Sequence, residues 1–529
     1  MATYLKLFET HTQYETFIGG GGNTPFVKPN VSYCTEENEV YYNPRTWADE
    51  YLTFVALEDG TISFDILNSI GTDKITSISY STDNGANWTT TENRNNKQEN
   101  LSITVNVNKG DKILWKGDAK TLGFYVDDNV GFVGSFFSST AKFDAAGNVM
   151  SLIYGDEYKN KITIEKEYTF CFLFCDYNFK KTCGIVNAKN LSLPATTLAS
   201  SCYLGMFSGC TSLVTAPTLP ATTLASGCYG YMFYGCTGLT TAPELPATTL
   251  ASSCYNGMFN GCTGLVTAPT LPATTLADSC YEFMFYCCTS LVTAPTLSAT
   301  TLASNCYSHM FDGCTSLTSA PELPVTTLAD SCYQYMFRGC TSLVNAPTLP
   351  ATTLADSCYQ YMFSGCTSLV TAPTLSATTL ASNCYSHMFS GCTKLVNAPT
   401  LPATTLAEGC YQTMFSGCKS LVTAPTLPAT TLADRCYSYM FIGCTSLKTA
   451  PTLPATTLAS SCYDSMFYSC SLLNYIKCLA TNISASNCLS DWVRGVASTG
   501  TFVKAASMTS WGTGTSGIPN DWTVQDVTV

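Results

Sequence analysis

Apolar and polar positions follow two different periods along this chain. Between residues 48 and 155 they alternate one by one, in the runs Tyr51–Leu57, Thr61–Ile66, Leu101–Val107 and Lys112–Trp115. Turn residues at Asp59-Gly60 and at Asn108–Asp111 separate the runs. Side chains of an extended chain point to opposite faces in turn, so alternation buries one face of each strand. Short strands of this kind predict an all-β, sandwich-like domain.

From about Leu193 the period becomes 26. Cys202, Cys228, Cys254 and their successors recur in that step to Cys488, and a second series runs from Cys210 to Cys470; together they hold 23 of the 29 cysteines. A period of this length marks a repeat array. Eleven units carry both cysteines, over residues 193–473. In the unit Leu219–Glu244, Cys228, Met232, Phe233 and Cys236 sit at i, i+4, i+5 and i+8. That spacing predicts one face of a short helix, with Gly235 at its end. Leu239–Pro243 predicts a short strand closed by proline.

One strand and one helical turn per unit is the leucine-rich-repeat plan. The expected fold is therefore an α/β repeat solenoid with a parallel sheet and short helices, preceded by the sandwich-like domain and an extended N-terminal anchor. The expected divisions are 1–47 for the anchor, 48–155 for the sandwich, 156–192 for a junction and cap, 193–473 for the solenoid and 474–529 for a C-terminal cap.

Stacked units turn equivalent residues into columns, and free cysteine behaves as a small buried hydrophobe. Reduced core thiols are the reading adopted over disulfides. A Cys-x7-Cys spacing matches no zinc pattern, and Cys171, Cys175 and Cys183 alone make a weak ligand set, so no metal or cofactor is expected.

Two columns vary where the rest of the unit barely changes. The first holds Tyr231, Phe283, His309, Tyr335, Tyr361, His387 and Tyr439; the second, three residues on, holds Tyr234, Tyr286, Arg338 and Tyr468. Residues three apart are neighbours on a helix, so the columns should form one exposed stripe. It reads either as a recognition surface, where tyrosine offers rigid contact with a polar handle, or as drift on a solvated face.

Charged residues are only 12% of the chain and the net charge is −12. So few cations make nucleic acid an unsuitable partner, because phosphate neutralisation drives that affinity. No apolar run is long enough for membrane insertion, and the first residues lack the apolar core of a signal peptide. No motif of nucleotide binding, metalloprotease or serine hydrolase chemistry occurs, and no enzyme is expected. Ser81–Trp88 is similar to the Asp-box hairpin of sialidase propellers, but as a single copy it reads as a structural turn.

The segment Met206–Leu213 (Met-Phe-Ser-Gly-Cys-Thr-Ser-Leu) and its copies resemble leucine-rich repeats of surface proteins from gut and oral anaerobes. Tyr4–Tyr14, Pro29–Cys34 and Glu37–Tyr42 resemble N-termini of virion proteins from gut Bacteroides phages, including crAss-like phages. The second resemblance implies a virion protein, a head or tail fibre or decoration, made in host cytoplasm and displaying the solenoid for attachment. Residues 1–47 would dock on other virion proteins, with Tyr4, Leu7, Phe8, Tyr14 and Phe17 as candidate contacts. A homotrimer would form through residues 1–155, and the stripe would meet host-surface or mucin glycan. A bacterial surface adhesin and a polysaccharide-degrading virion enzyme are the alternatives.

Overall fold

The computed structural model describes residues 32–34, 40–42, 47–67, 77–92, 101–125, 132–176, 181 and 183–527. Strands β1 (Ser32–Cys34) and β2 (Val40–Tyr42) pair antiparallel. The alternating region then forms β3 (Leu52–Ala56), β4 (Gly60–Ile66), β5 (Ser77–Ser81), β6 (Thr89–Glu92), β7 (Leu101–Val107), β8 (Lys112–Gly117), β9 (Gly123–Tyr125), β10 (Phe132–Gly134), β11 (Phe136–Ser139) and β12 (Phe143–Asn148). A one-turn helix α1 (Ser151–Tyr154) and strand β13 (Ile185–Ser192) follow.

Among the described residues β9 pairs antiparallel with β10, and two larger sheets, ordered β13-β12-β3-β8-β5-β6 and β11-β4-β7, carry this all-β region. The buried residues of the alternating runs meet between them. Phe54 packs edge-on against Phe137 at 4.7 Å, and Phe64 reaches Trp115 at 6.2 Å. Every pairing in the larger sheet is antiparallel except β12 with β13. That parallel pair is the joint. Asn187 of β13 makes a parallel bridge to Thr215 of the first repeat, so one sheet passes from sandwich to solenoid. Beneath it, Phe174 stacks on Phe137 at 5.8 Å and on Phe207 at 5.0 Å, fusing the two cores.

The repeats are a parallel solenoid, but their curved side is not helical. A helix needs every residue near φ −63°. Here every fourth residue is left-handed: Gly227 at φ 60°, Tyr231 at 51° and Gly235 at 67°. The backbone donors alternate. The N–H groups of Gly227, Tyr229, Tyr231, Phe233 and Gly235 donate to carbonyls of the next rung at 2.7–3.0 Å. Those of Cys228, Gly230, Met232, Tyr234 and Cys236 donate to the carbonyl three residues back, at 3.0–3.3 Å. The result is a ribbon of β-turns with positive φ at the third residue of alternate turns. The expected short helices are therefore replaced by stacked turns, because alternate amides of Gly227–Cys236 bond across rungs and the others bond three residues back, not four as in an α-helix.

The strand side is also sparer than expected. Thr241, Thr267, Thr293, Ser319, Asn345 and Thr371 are linked by single-residue parallel bridges. The proline two residues on (Pro243 in the second unit) lacks a donor and stops the ladder.

The eleven units are extended by one rung at each end. Phe170 and Phe174 donate their N–H groups to Cys202 and Met206 in the same pattern. At the other end, Tyr463 and Phe467 donate to Cys488 and Trp492. Strands β14 (Tyr475–Cys478), β15 (Thr501–Ala505) and β16 (Thr523–Val527) then close the array as a parallel sheet.

Candidate functional site

Inside each rung the columns have distinct duties. Cys228, Met232, Phe233, Cys236 and Leu239 are buried, as are their equivalents. Tyr229 and its copies are buried too, stacked rung on rung at 5.7–6.1 Å. The expected core omitted this tyrosine column, although a tyrosine follows the first cysteine in all eleven units. The second cysteine of each rung donates its thiol hydrogen to a phenylalanine carbonyl of the rung before, as Cys236 does to Phe207 at 3.1 Å and Cys340 to Phe311 at 3.1 Å. That carbonyl already accepts one backbone N–H, so the thiol fills its second lone pair. Burial pushes the Cys262, Cys366 and Cys418 thiols up to about 12, which keeps them protonated.

Cys287 stands apart. It occupies a left-handed position (φ 55°) where most rungs carry glycine, and it is half-buried. Burial first, then the Asp312 carboxylate, raises its pKa. Among Cys171 and the cysteines that follow it, Cys287 should be the one that a water-soluble disulfide reagent labels in the folded protein. Labelling should be slower at pH 7 than for a free thiol and should still be accelerating above pH 9, as peptide mapping against time would show.

The variable columns lie on the outer edge of the turn ribbon. Each residue of the first column is the left-handed residue of a turn. The second-column residue sits close by: Tyr231 is 6.2 Å from Tyr234, and Phe283 is 5.7 Å from Tyr286. Adjacent rungs bring five first-column rings into one stack. Phe283, His309, Tyr335, Tyr361 and His387 follow one another at 4.4, 4.2, 4.5 and 4.0 Å, nearly parallel. Tyr231 and Tyr439 stand outside this stack. Tyr231 lies over Gly257, whose missing side chain leaves room for the ring, and Tyr439 is flanked by Thr413 and Ser465. Arg494 lies 5.6 Å from the Tyr468 ring, away from the stack.

Beside the five stacked rings, Asp312 and Arg338 bring charge to the stripe. Asp312, which is buried, lies 2.8 Å from His309 Nδ1 and accepts Arg338 Nε at 3.0 Å; Arg338 Nη2 is 2.8 Å from its other oxygen. The guanidinium also lies 4.8 Å above the Tyr335 ring. Asp312 is in the second column and was not among the expected site residues; its partner in the next rung becomes visible only when the rungs are stacked. His387 bonds Ser386 at 2.8 Å, and burial lowers its pKa to about 4, so it is neutral at pH 7. Burial raises the Tyr335 and Tyr361 pKa values.

A sequence profile for the BspA type leucine-rich repeat region matches in six copies, over residues 174–318, 229–369, 278–422 and 374–490. These ranges run without a gap through more than half of the chain. The protein belongs to the BspA-type leucine-rich-repeat family. No curated protein and no solved structure matches it. The family profile begins at residue 174, within the extra rung that precedes the first cysteine pair of this BspA-type array.

The sandwich contributes a turn. Ser81 Oγ donates to Asp83 at 2.7 Å and accepts the Gly85 N–H at 2.9 Å. Asp83 also accepts the Asn87 N–H at 2.8 Å and the Asn87 side-chain amide at 2.7 Å. Those bonds, the Asn87 N–H foremost, lower the Asp83 pKa to about 2. Both carboxylate oxygens are engaged within the hairpin. The proposed docking residues Tyr4, Leu7, Phe8, Tyr14 and Phe17 lie outside the described residues. Among the described residues no helix is long and apolar enough to cross a membrane.

Proposed function

We propose that this BspA-type protein is an attachment protein of a phage particle, a head or tail fibre or decoration, that holds its solenoid outward against host-surface or mucin glycan. One observation carries the attachment reading. In rungs whose buried columns are almost uniform, the residues that differ converge on one outer stripe, and five of their rings are stacked into an ordered ladder. An ordered ladder of rigid side chains loses little entropy on binding. Many copies on one particle would convert weak sites into avidity of roughly 10²–10⁴-fold where several engage together. The particle assignment is supported by the resemblance of the N-terminal segments. Residues 1–47 would dock on other virion proteins, and a homotrimer would assemble through residues 1–155. A second reading, a bacterial surface adhesin using the same stripe, is compatible with the same family match.

Mass spectrometry of purified particles separates the two: the protein should co-purify with capsid and tail proteins. Changing Tyr231, Phe283, Tyr335, Tyr361 and Tyr439 together to Ser leaves the buried columns intact, so folding should survive. Particles carrying that variant should adsorb to host cells at least tenfold less well. Unchanged adsorption to cells and mucin would make the solenoid a spacer.

A further inference from the structure

We propose that the stripe takes an anionic saccharide, whose carboxylate or sulfate is received by Arg338. This deepens the attachment reading and rests on it. The stacking carries the argument. His309, Tyr335 and Tyr361 each have a ring on both faces, at 4.0–4.5 Å. Their faces are therefore closed to a sugar ring, and solvent meets their edges. An aromatic edge is the positive end of the ring quadrupole. It favours electron-rich groups over the apolar face of a neutral sugar.

Arg338 stands in this seam with its side chain 39% exposed. A guanidinium has five N–H donors. Nε and one Nη2 donor are engaged by Asp312, at 3.0 and 2.8 Å. The remaining donors, on the side away from Asp312, keep the fork that matches a carboxylate or sulfate in two parallel bonds. Tyr335, whose ring centre is 4.8 Å away, and Asp312 beside it hold that fork in one place before any ligand arrives. Asp312 cannot serve a sugar hydroxyl, because it is buried and both its oxygens are occupied. Arg338 thus offers donors alone, and the group it receives must bring acceptors. The chain carries a net charge of −12, so polyanions are not drawn to it at large. Affinity for one must then come from a local site, and Arg338 is the cation set against the ring stack.

Affinity electrophoresis of the full chain tests this, in gels containing dextran, dextran sulfate or polygalacturonate. The protein should be retarded by at least one acidic polymer and not by dextran; the sulfate and uronate gels tell which anion is read. Arg338→Gln should weaken the retardation roughly tenfold or more, the worth of a charge-assisted pair. That variant leaves the buried Asp312 carboxylate with His309 as its remaining side-chain partner, so the double change Asp312→Asn with Arg338→Gln is measured beside it. The double variant should fold like the parent and bind as poorly as the single one. Equal retardation by dextran, full binding by the double variant, or no retardation in any gel overturns the proposal. Adsorption by the five-aromatic variant judges the attachment reading separately, since it does not depend on which glycan is bound.

Discussion

Replacing Phe337 with alanine is expected to remove about 3–5 kcal/mol of folding stability, the range for emptying a fully buried aromatic site. Phe337 lies mid-array with no exposure, between Phe311 and Phe363 at 5.7 Å on either side. Its carbonyl accepts the Cys340 N–H at 3.1 Å and the Cys366 thiol at 3.0 Å. The backbone bonds can persist in the variant, but the ring's contacts with both neighbours vanish together. A solenoid rung touches only the rungs beside it, so stability is close to a sum of nearest-neighbour terms. The hole therefore weakens two interfaces at once. Urea unfolding should change from one transition to two, with a lower apparent m for each, as the array parts into shorter cooperative blocks. Phe337→Leu keeps most of the volume and should lose under about 1.5 kcal/mol. Val344→Ser, on a side chain 43% exposed, should stay within about 0.5 kcal/mol of the parent. A single unshifted transition for Phe337→Ala would show that the phenylalanine column does not couple the rungs.

The parts of this fold that were legible in the sequence share one property: their signal lies in spacing within a short window. Alternation in Thr61–Ile66 and Leu101–Val107 marked two strands that pair along their whole length. The step of 26 marked the solenoid and its parallel stacking. The helix was misjudged because Cys228, Met232 and Cys236 repeat every 4.0 residues, as Tyr229 and Phe233 do, and so do the left-handed Gly227, Tyr231 and Gly235. Over eight residues that period is hard to tell from 3.6. The glycines were the better guide, since Gly205 with Gly209, Gly227 with Gly235 and Gly257 with Gly261 put two within one unit, and a helix ends only once. The terminal rungs were hidden by spacing. Phe170 stacks on Tyr203, 33 residues on, and Trp492 follows Phe467 by 25 rather than 26. In the candidate site, membership of the stripe was readable from variation. Which rings stack was not, because it depends on the rung beside each: Gly257 leaves Tyr231 alone, while His309 continues Phe283. The ion pair of Asp312 with Arg338 spans 26 residues, beyond the reach of any local pattern.

Trp492→Ala should be the most damaging change outside the repeats themselves. Trp492 takes the place of phenylalanine in the last rung and is fully buried. Its ring lies 6.4 Å from Tyr463, 6.2 Å from Phe467, 6.1 Å from Phe502 and 6.0 Å from Trp511, and its Nε1 donates to the Gly517 carbonyl at 2.9 Å. One side chain thus ends both aromatic columns and holds the covering segment in place. Its loss removes roughly 3–5 kcal/mol of packing and leaves the Gly517 carbonyl without that partner. The loss falls on the end of a one-dimensional array, where opening needs no other rung to break, so the effect should be local. Hydrogen exchange should quicken in residues 463–527 and stay near the parent rate around Phe337. Uncovered end rungs present apolar columns and unpaired amides, the conditions for association between chains. Light scattering should therefore show oligomers that grow with concentration, whereas Trp492→Phe, which keeps a ring in the column, should remain close to the parent. Even loss of protection along the whole array would mean that the rungs fold as one block and that Trp492 is not an end cap.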